Sequence, residues 1–179
     1  MAKRLPALVA EYTEIKKILD RAREVDDGEP LAAEARSRPF PPASAAAIRA
    51  FEKKVGASLP PSYREFLALH NGWQCFWGSM WIGGVDGKSR AYVQARLREG
   101  KSHLRTADWD PRSALVLGAD DNGGFLVFSA QADKNGERKV LDCPRGFTEN
   151  TFASFADLLA TQLCCRVNDV ARLPKAQRR

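Results

Sequence analysis

The chain has 179 residues, the usual size of one domain and enough to bury a real core. Hydrophobic residues at 44% and charged ones at 28% are ordinary for a globular protein, and no apolar run approaches the ~20 residues a membrane span needs. Its four cysteines and two histidines show neither CxxC spacing nor disulfide-scaffold density, which excludes the familiar zinc sets and stapled folds.

The N-terminal apolar patch is cut by Glu11 and lacks a small-residue cleavage site, so no secretory signal is expected. Reduced thiols and a cytoplasmic location are the simplest setting. Leu5, Leu8, Tyr12, Ile15, Ile18 and Leu19 then recur at helical steps, predicting a helix over 5–25. Residues 26–43 mix acids, alanines and prolines and read as a connector. Residues 1–43 are thus set apart from a main unit at 44–167, with a basic tail at 168–179.

Ile48, Phe51, Glu52 and Val55 repeat at helical spacing behind a candidate N-cap at Ser44, and Gly56 stops that helix. Leu59 precedes Pro60 and Pro61, which suit only the first turn of a new helix. Tyr63, Phe66, Leu67 and His70 form one face of it, and Asn71-Gly72 ends it. The two helices, over 44–56 and 61–71, are expected to pack through Phe51, Val55, Phe66 and Leu67. Glu52 is placed to cap or bond the neighbouring helix end.

From Trp73 the period changes. "WQCFWGSMWIGGV" is aromatic and β-branched, broken by glycines, and predicts two short strands. "RAYVQARLREG" is helical, with Tyr92, Val93, Ala95 and Leu97 partly on one side. Leu115–Leu117 and Phe125–Phe128 flank the turn signal "GADDNGG", and "GERKVLDC" adds a further strand. "TFASFADLLATQLCCRV" is a closing helix over 152–166, capped by Thr151, whose stripe is Phe155, Leu158, Leu159, Leu163 and Cys164. Helices, a strand meander between Trp73 and Cys143, and a last helix make the fold class α+β, an antiparallel sheet packed against helices.

The set Ile48, Phe51-Glu52, Gly56, Leu59-Pro60, Tyr63, Phe66-Leu67 and Asn71-Gly72 resembles the opening motif of the SUKH superfamily, the domain of Smi/Knr-type regulators and many bacterial immunity proteins. The strand pair after it, "LVLGADDNGGFLVF", and the final helix with Phe152 and Phe155 extend the resemblance over about residues 44–166. The resemblance implies a binding protein: an antidote that blocks a cognate polymorphic toxin delivered between competing cells. Its motif residues look structural, so no catalytic residue carries over.

Read from the residues themselves, candidates for chemistry are few. Asp120-Asp121-Asn122 lacks the alternating oxygens and distal glutamate of a calcium loop and suits a tight turn. Neither His70 nor His103 has a recognisable nucleophile beside it. Cys164-Cys165 read as small buried residues. No catalytic group, metal or cofactor is expected, and the protein is not expected to be an enzyme.

Partner binding has better candidates. Phe76, Trp77, Met80 and Trp81 fall within six residues, so strand alternation should turn at least one large side chain outward as an interface anchor; the alternative is that all four are core. Lys88, Arg90, Arg96, Arg98, Lys101 and Arg105 stand against Glu99 alone in residues 88–105. The partner-binding set is therefore Trp77, Met80, Trp81, Arg96, Arg98, Lys101, Asp120 and Asp121. The implied partner is a toxin protein, one with an acidic surface if the basic run engages it. A nucleic-acid-binding module using the basic segments is the alternative, disfavoured because those runs have little aromatic interleaving and no recognition motif. No membrane partner is implied.

Overall fold

The computed structural model describes residues 4–29, 31–32, 35–100, 114–144 and 147–178. In chain order the elements are α1 (Leu5–Asp27), β1 (Arg38–Pro39), α2 (Ala45–Val55), α3 (Pro61–Leu69), β2 (Trp73–Trp77) and β3 (Met80–Ile82). Then come α4 (Gly87–Glu99), β4 (Leu115–Ala119), β5 (Phe125–Ala132), β6 (Arg138–Cys143), β7 (Asn150–Phe152) and α5 (Phe155–Arg172). The strands form one antiparallel sheet whose spatial order is the sequence order, β1 to β7. The fold is α+β, as the change of periodicity predicts.

Local chemistry explains the first helices. Ser44 Oγ accepts the Ala47 N–H at 3.1 Å, and Gly56 closes α2 in the left-handed conformation at φ 69°. Glu52 reaches across the connection, accepting the Leu59 N–H at 2.8 Å and an ion pair from Arg64. Asn71 then ties the end of α3 to the loop after β3. Its Oδ1 accepts the Val85 N–H at 2.8 Å, while its carbonyl accepts the Ser89 hydroxyl at 2.8 Å. A Cβ on Gly84 would lie 2.1 Å from Asn71 Oδ1, so this junction closes only around glycine.

Several expectations need correction. Helix α3 ends at Leu69 with His70 as its C-cap, so Asn71-Gly72 follows the helix and does not close it; Gly72 takes its positive φ of 96° beyond the stop. Val55 is 37% exposed and stays out of the helix-side core, since it is the last residue of α2 before the Gly56 stop and not part of its buried face, Ile48 and Phe51. Two strands were not foreseen: β1 lies inside the predicted connector, pairing Arg38 with Gln74, and β7 pairs Thr151 with Leu141. The last helix therefore starts at Phe155, not 152. Its N-cap is Ser154, not Thr151: Ser154 Oγ accepts the Asp157 N–H while Asp157 Oδ2 accepts the Ala153 N–H. Cys164 and Cys165 are both exposed, since the buried stripe of α5 passes through Leu159 and Leu163 and leaves the next two positions outward.

Both faces of the sheet are covered, which explains why its central strands read as continuous apolar runs. Leu115 and Leu117 of β4, Leu126 and Phe128 of β5, and Val140 of β6 join the core beneath α1, α2, α3 and α5. Val116, Ala119, Phe125, Val127 and Cys143 alternate to the other side and pack with Val93 of α4. The helices 1-2-3-5, the sheet, and α4 thus make three layers.

The first helix is part of that core. Leu5, Leu8, Val9 and Tyr12 are buried in it. The Tyr12 ring stacks on Phe76 with centroids 4.5 Å apart and meets Trp73 edge-on, and its hydroxyl donates to the Phe76 carbonyl. The buried face of α1 turns away from Ile18 and Leu19 and takes in Lys16, whose ammonium pKa burial lowers against the attraction of Asp20.

Phe66 is fully buried between Tyr63 and Phe155. Phe66→Ala should cost about 3–5 kcal/mol of stability, the usual range for emptying such a site, read by urea denaturation; a variant as stable as the parent would refute this packing. A second expectation concerns acid. His70 closes α3 with Nδ1 3.2 Å from the Phe40 carbonyl, and burial lowers its pKa from 6.5, with that hydrogen bond acting the other way. A folded value below the unfolded one leaves this group's contribution whole above pH ~6.5 and erodes it as the pH falls lower. Unfolding free energies at pH 7 and pH 5 should therefore drop more for the parent than for His70→Gln; identical drops would refute it.

Candidate functional site

The predicted partner-binding residues do not all share one place. β3 alternates as its register demands: Met80 and Ile82 enter the helix-side core and Trp81 turns to the α4 side. Met80 is 2% exposed and Trp81 7%, so neither projects as a free anchor; α4 lies over the face onto which Trp81 emerges. Trp77 is half-buried, packed against Phe76 on the helix side. Among the four aromatic and sulfur side chains of that run, it alone keeps appreciable exposure. Arg98 is exposed on α4, its Nε bonded to the Gln94 carbonyl. Asp120 is occupied in the β4–β5 turn, accepting the Asn122 and Gly124 N–H groups at 2.8 and 2.7 Å, which is the turn that "GADDNGG" predicts. Lys101, like His103 and Arg105, lies outside the described residues.

The structure does bring three of the set together. Trp81, Arg96 and Asp121 line a cleft of about 640 Å³ between α4 and the β2–β3 hairpin. Cys75 of β2 and Trp81 of β3 line it with Lys88, Tyr92 and Arg96 of α4 and Arg23 of α1. Strand β2 is irregular beside the cleft. Cys75 has a left-handed φ of 48°, and the pairing slips between Trp73↔Ile82 and Trp77↔Met80. The irregularity places Trp73 and Phe76, an odd number of residues apart, together in the helix-side core, while Cys75 lines the cleft.

The α4 wall is built around aromatic rings. Trp81 and Tyr92 stack with centroids 4.2 Å apart and planes 16° from parallel. Lys88 Nζ lies 5.7 Å from the Trp81 ring centroid, and Arg96 Cζ lies 5.2 Å from that of Tyr92. These are cation–π distances. Arg96 also pairs with Glu99 at 2.7 Å, one turn along the exposed side of α4. Sequence reasoning singled out Trp81 and Arg96 but missed Tyr92 and Arg23. A signal for Tyr92 existed, because Lys88, Tyr92 and Arg96 sit at i, i+4 and i+8 on one helical face. Nothing local signalled Arg23, which arrives from an element more than fifty residues away.

Burial pushes the Cys75 thiol pKa up, against the pull of the Lys16 ammonium, so the thiol is protonated near neutral pH and a poor nucleophile. Burial likewise raises the Tyr92 phenol, with Arg96 opposing. Among the described residues no group of three or more His, Cys, Asp or Glu is placed to hold a metal ion. None of the described helices is long and apolar enough to cross a membrane. A second recess, about 550 Å³, lies between the α2–α3 connection and the β5–β6 turn and is walled by Leu59, Pro61 and Ala68, parts of the structural motif.

The family model for the SMI1 / KNR4 family (SUKH-1) matches residues 42–161. The chain belongs to that family. A comparison with curated proteins finds no match. The SUKH-1 match starts just before α2 and ends inside α5, so it contains strands β2 to β7, α4 and most of the cleft. Helix α1, with Arg23 and the Tyr12 contacts, lies outside it, yet it packs into the SUKH-1 core.

The two sides of the α4 wall should respond differently to truncation. Arg96→Ala should change stability by no more than about 0.5 kcal/mol, because its partners are at the surface. Tyr92→Ala should cost about 1–3 kcal/mol and shift tryptophan emission to the red, since water then reaches Trp81. Emission unchanged in Tyr92→Ala would show that the ring does not cover Trp81.

Proposed function

We propose that this SUKH-1 protein is an immunity protein: it binds a cognate secreted toxin and neutralises it by occluding its active site, with no catalysis of its own. Membership of the family supports the reading, because the resemblance of its motif is to antidotes that work by protein–protein contact. The geometry agrees with that role. The motif residues are spent on packing, and the accessible face gathers aromatic and charged side chains in a cleft that lacks an activated nucleophile. Binding rather than turnover is what such a surface can do.

An antidote must reach its target before the target acts, so association rate matters. Arg96 and Arg98, both on the outer part of α4, would steer an acidic surface toward the cleft and so raise the rate of encounter.

The test begins with the gene neighbourhood. A secreted multi-domain toxin encoded beside this chain should be toxic when expressed alone and harmless when co-expressed with it, and the two purified proteins should form a complex. Charge reversal at Arg98, which does not line the cleft, should slow association at low salt and leave dissociation nearly unchanged. A folded chain that neither binds that toxin nor restores growth overturns the reading. Salt-dependent binding to random DNA, with the counterion release phosphate contacts require, would put a nucleic-acid module in its place.

A further inference from the structure

The cleft has a charge balance and a geometry that specify more than "a protein partner". Three cations, Arg23, Lys88 and Arg96, face one carboxylate, Asp121. Arg23 and Lys88 are exposed and form no ion pair among the described residues, and Arg96 has only the surface carboxylate of Glu99, itself well exposed. An excess of positive charge along a cleft wall is stabilised when an anion arrives. Lys88 and Arg96 are also held in place: each rests near the face of a ring, and those two rings are stacked on each other. Long cationic side chains restrained in this way lose less rotamer freedom when they bind, which favours a ligand matched to their spacing.

The same stack decides which anion. Trp81 and Tyr92 spend one face on each other, and Lys88 and Arg96 lie near the rings as well, so neither ring offers the open face that stacks a nucleobase. Asp121 beside the cations, with Asp120 next to it in the turn, adds a repulsion to a run of phosphates but offers an acceptor to a basic neighbour of a carboxylate. The volume of about 640 Å³ is in the range that encloses a few side chains. We propose that this cleft receives an acidic segment of the partner protein, its carboxylates held by Lys88 and Arg96 and its flank read by Asp121. The biological identity of the occupant rests on the immunity reading above; the carboxylate preference of the cleft does not.

Capped hexaglutamate, titrated into the full-length isotope-labelled chain, tests that preference, with hexalysine and a thymidine hexanucleotide as comparisons. Hexaglutamate should move the Trp81 indole N–H resonance, assigned with Trp81→Phe, and hexalysine should not. Lys88→Glu and Arg96→Glu should each weaken binding about tenfold or more, whereas Lys134→Glu should stay within about twofold. Lys134 is the matched control: it loses the same charge but lies in the turn at the opposite end of β5 from Asp121. The neutral variants Lys88→Gln and Arg96→Gln repeat the comparison should a reversal unfold the chain. Equal weakening by Lys134→Glu, an unmoved Trp81 resonance, or tighter binding of the oligonucleotide overturns the proposal. Hexaglutamate binding at the cleft without rescue from the toxin would sink the immunity reading alone. Full rescue by a Lys88→Glu/Arg96→Glu double variant would sink the acidic-segment proposal alone.

Discussion

The backbone at Cys75 governs much of this molecule. A side-chain-bearing residue in the left-handed region costs on the order of 1–2 kcal/mol, and here it stands in the middle of a strand at φ 48°. What holds it there is the gain on both faces. On the helix side it lets Trp73 and Phe76 point the same way, so that Tyr12 can stack on one, meet the edge of the other and donate its hydroxyl to the Phe76 carbonyl. On the other side it sets Cys75 beside Trp81 at the base of the cleft. A regular strand would send Phe76 to the α4 side, remove the seat of α1 and fill the cleft.

That constraint divides the fold into two faces with different duties. The helix side is closed by aromatic packing: Tyr63, Phe66, Phe128 and Phe155 meet at centroid distances near 5 Å, and the Tyr63 hydroxyl donates to the Gly83 carbonyl. The α4 side is thinner, and its helix is only weakly amphipathic, with Val93 as the fully buried contact and Tyr92 and Leu97 partly covered. A helix that gives one narrow stripe to the core keeps the remainder of its surface for solvent or a partner. The basic residues of residues 88–100 belong to that free surface, with one exception. Arg90 turns inward, donating to the Val116 carbonyl at 2.8 Å and lying 4.8 Å from the Phe51 ring centroid. One basic run in the sequence therefore contains both a structural cation and surface cations.

The link from fold to function runs through rigidity. A cleft built on a strand irregularity, a hairpin and a packed helix keeps its charged groups in place before any partner arrives, so less ordering remains to be done on binding. The family match covers that apparatus. Helix α1 lies outside the match and contributes Arg23 to the cleft and Tyr12 to its support, which couples a segment beyond the family domain to the surface proposed to bind.

Much was legible in the sequence because much is local. Proline in a first turn, Ser44 as a cap, the Gly56 stop and the "GADDNGG" turn act over a few residues, and all are where chain chemistry places them. So are the α+β class and the family, which rest on period changes and on a spaced motif. The misses are non-local. Thr151 has the residue type of a cap, and its pairing with Leu141 cannot be seen from the residues around it. For Met80 and Trp81, alternation tells which side a strand residue faces but not what covers that side. For Cys164 and Val55, a helical period identifies a stripe but not where its neighbour ends. By itself the sequence determined most of the elements, the fold class and the family, since these follow from backbone preferences and short-range spacing. Only the tertiary structure decided that Arg23, Trp81, Arg96 and Asp121 meet in one cleft, because that meeting depends on a kinked strand and on long-range packing, which no local pattern encodes.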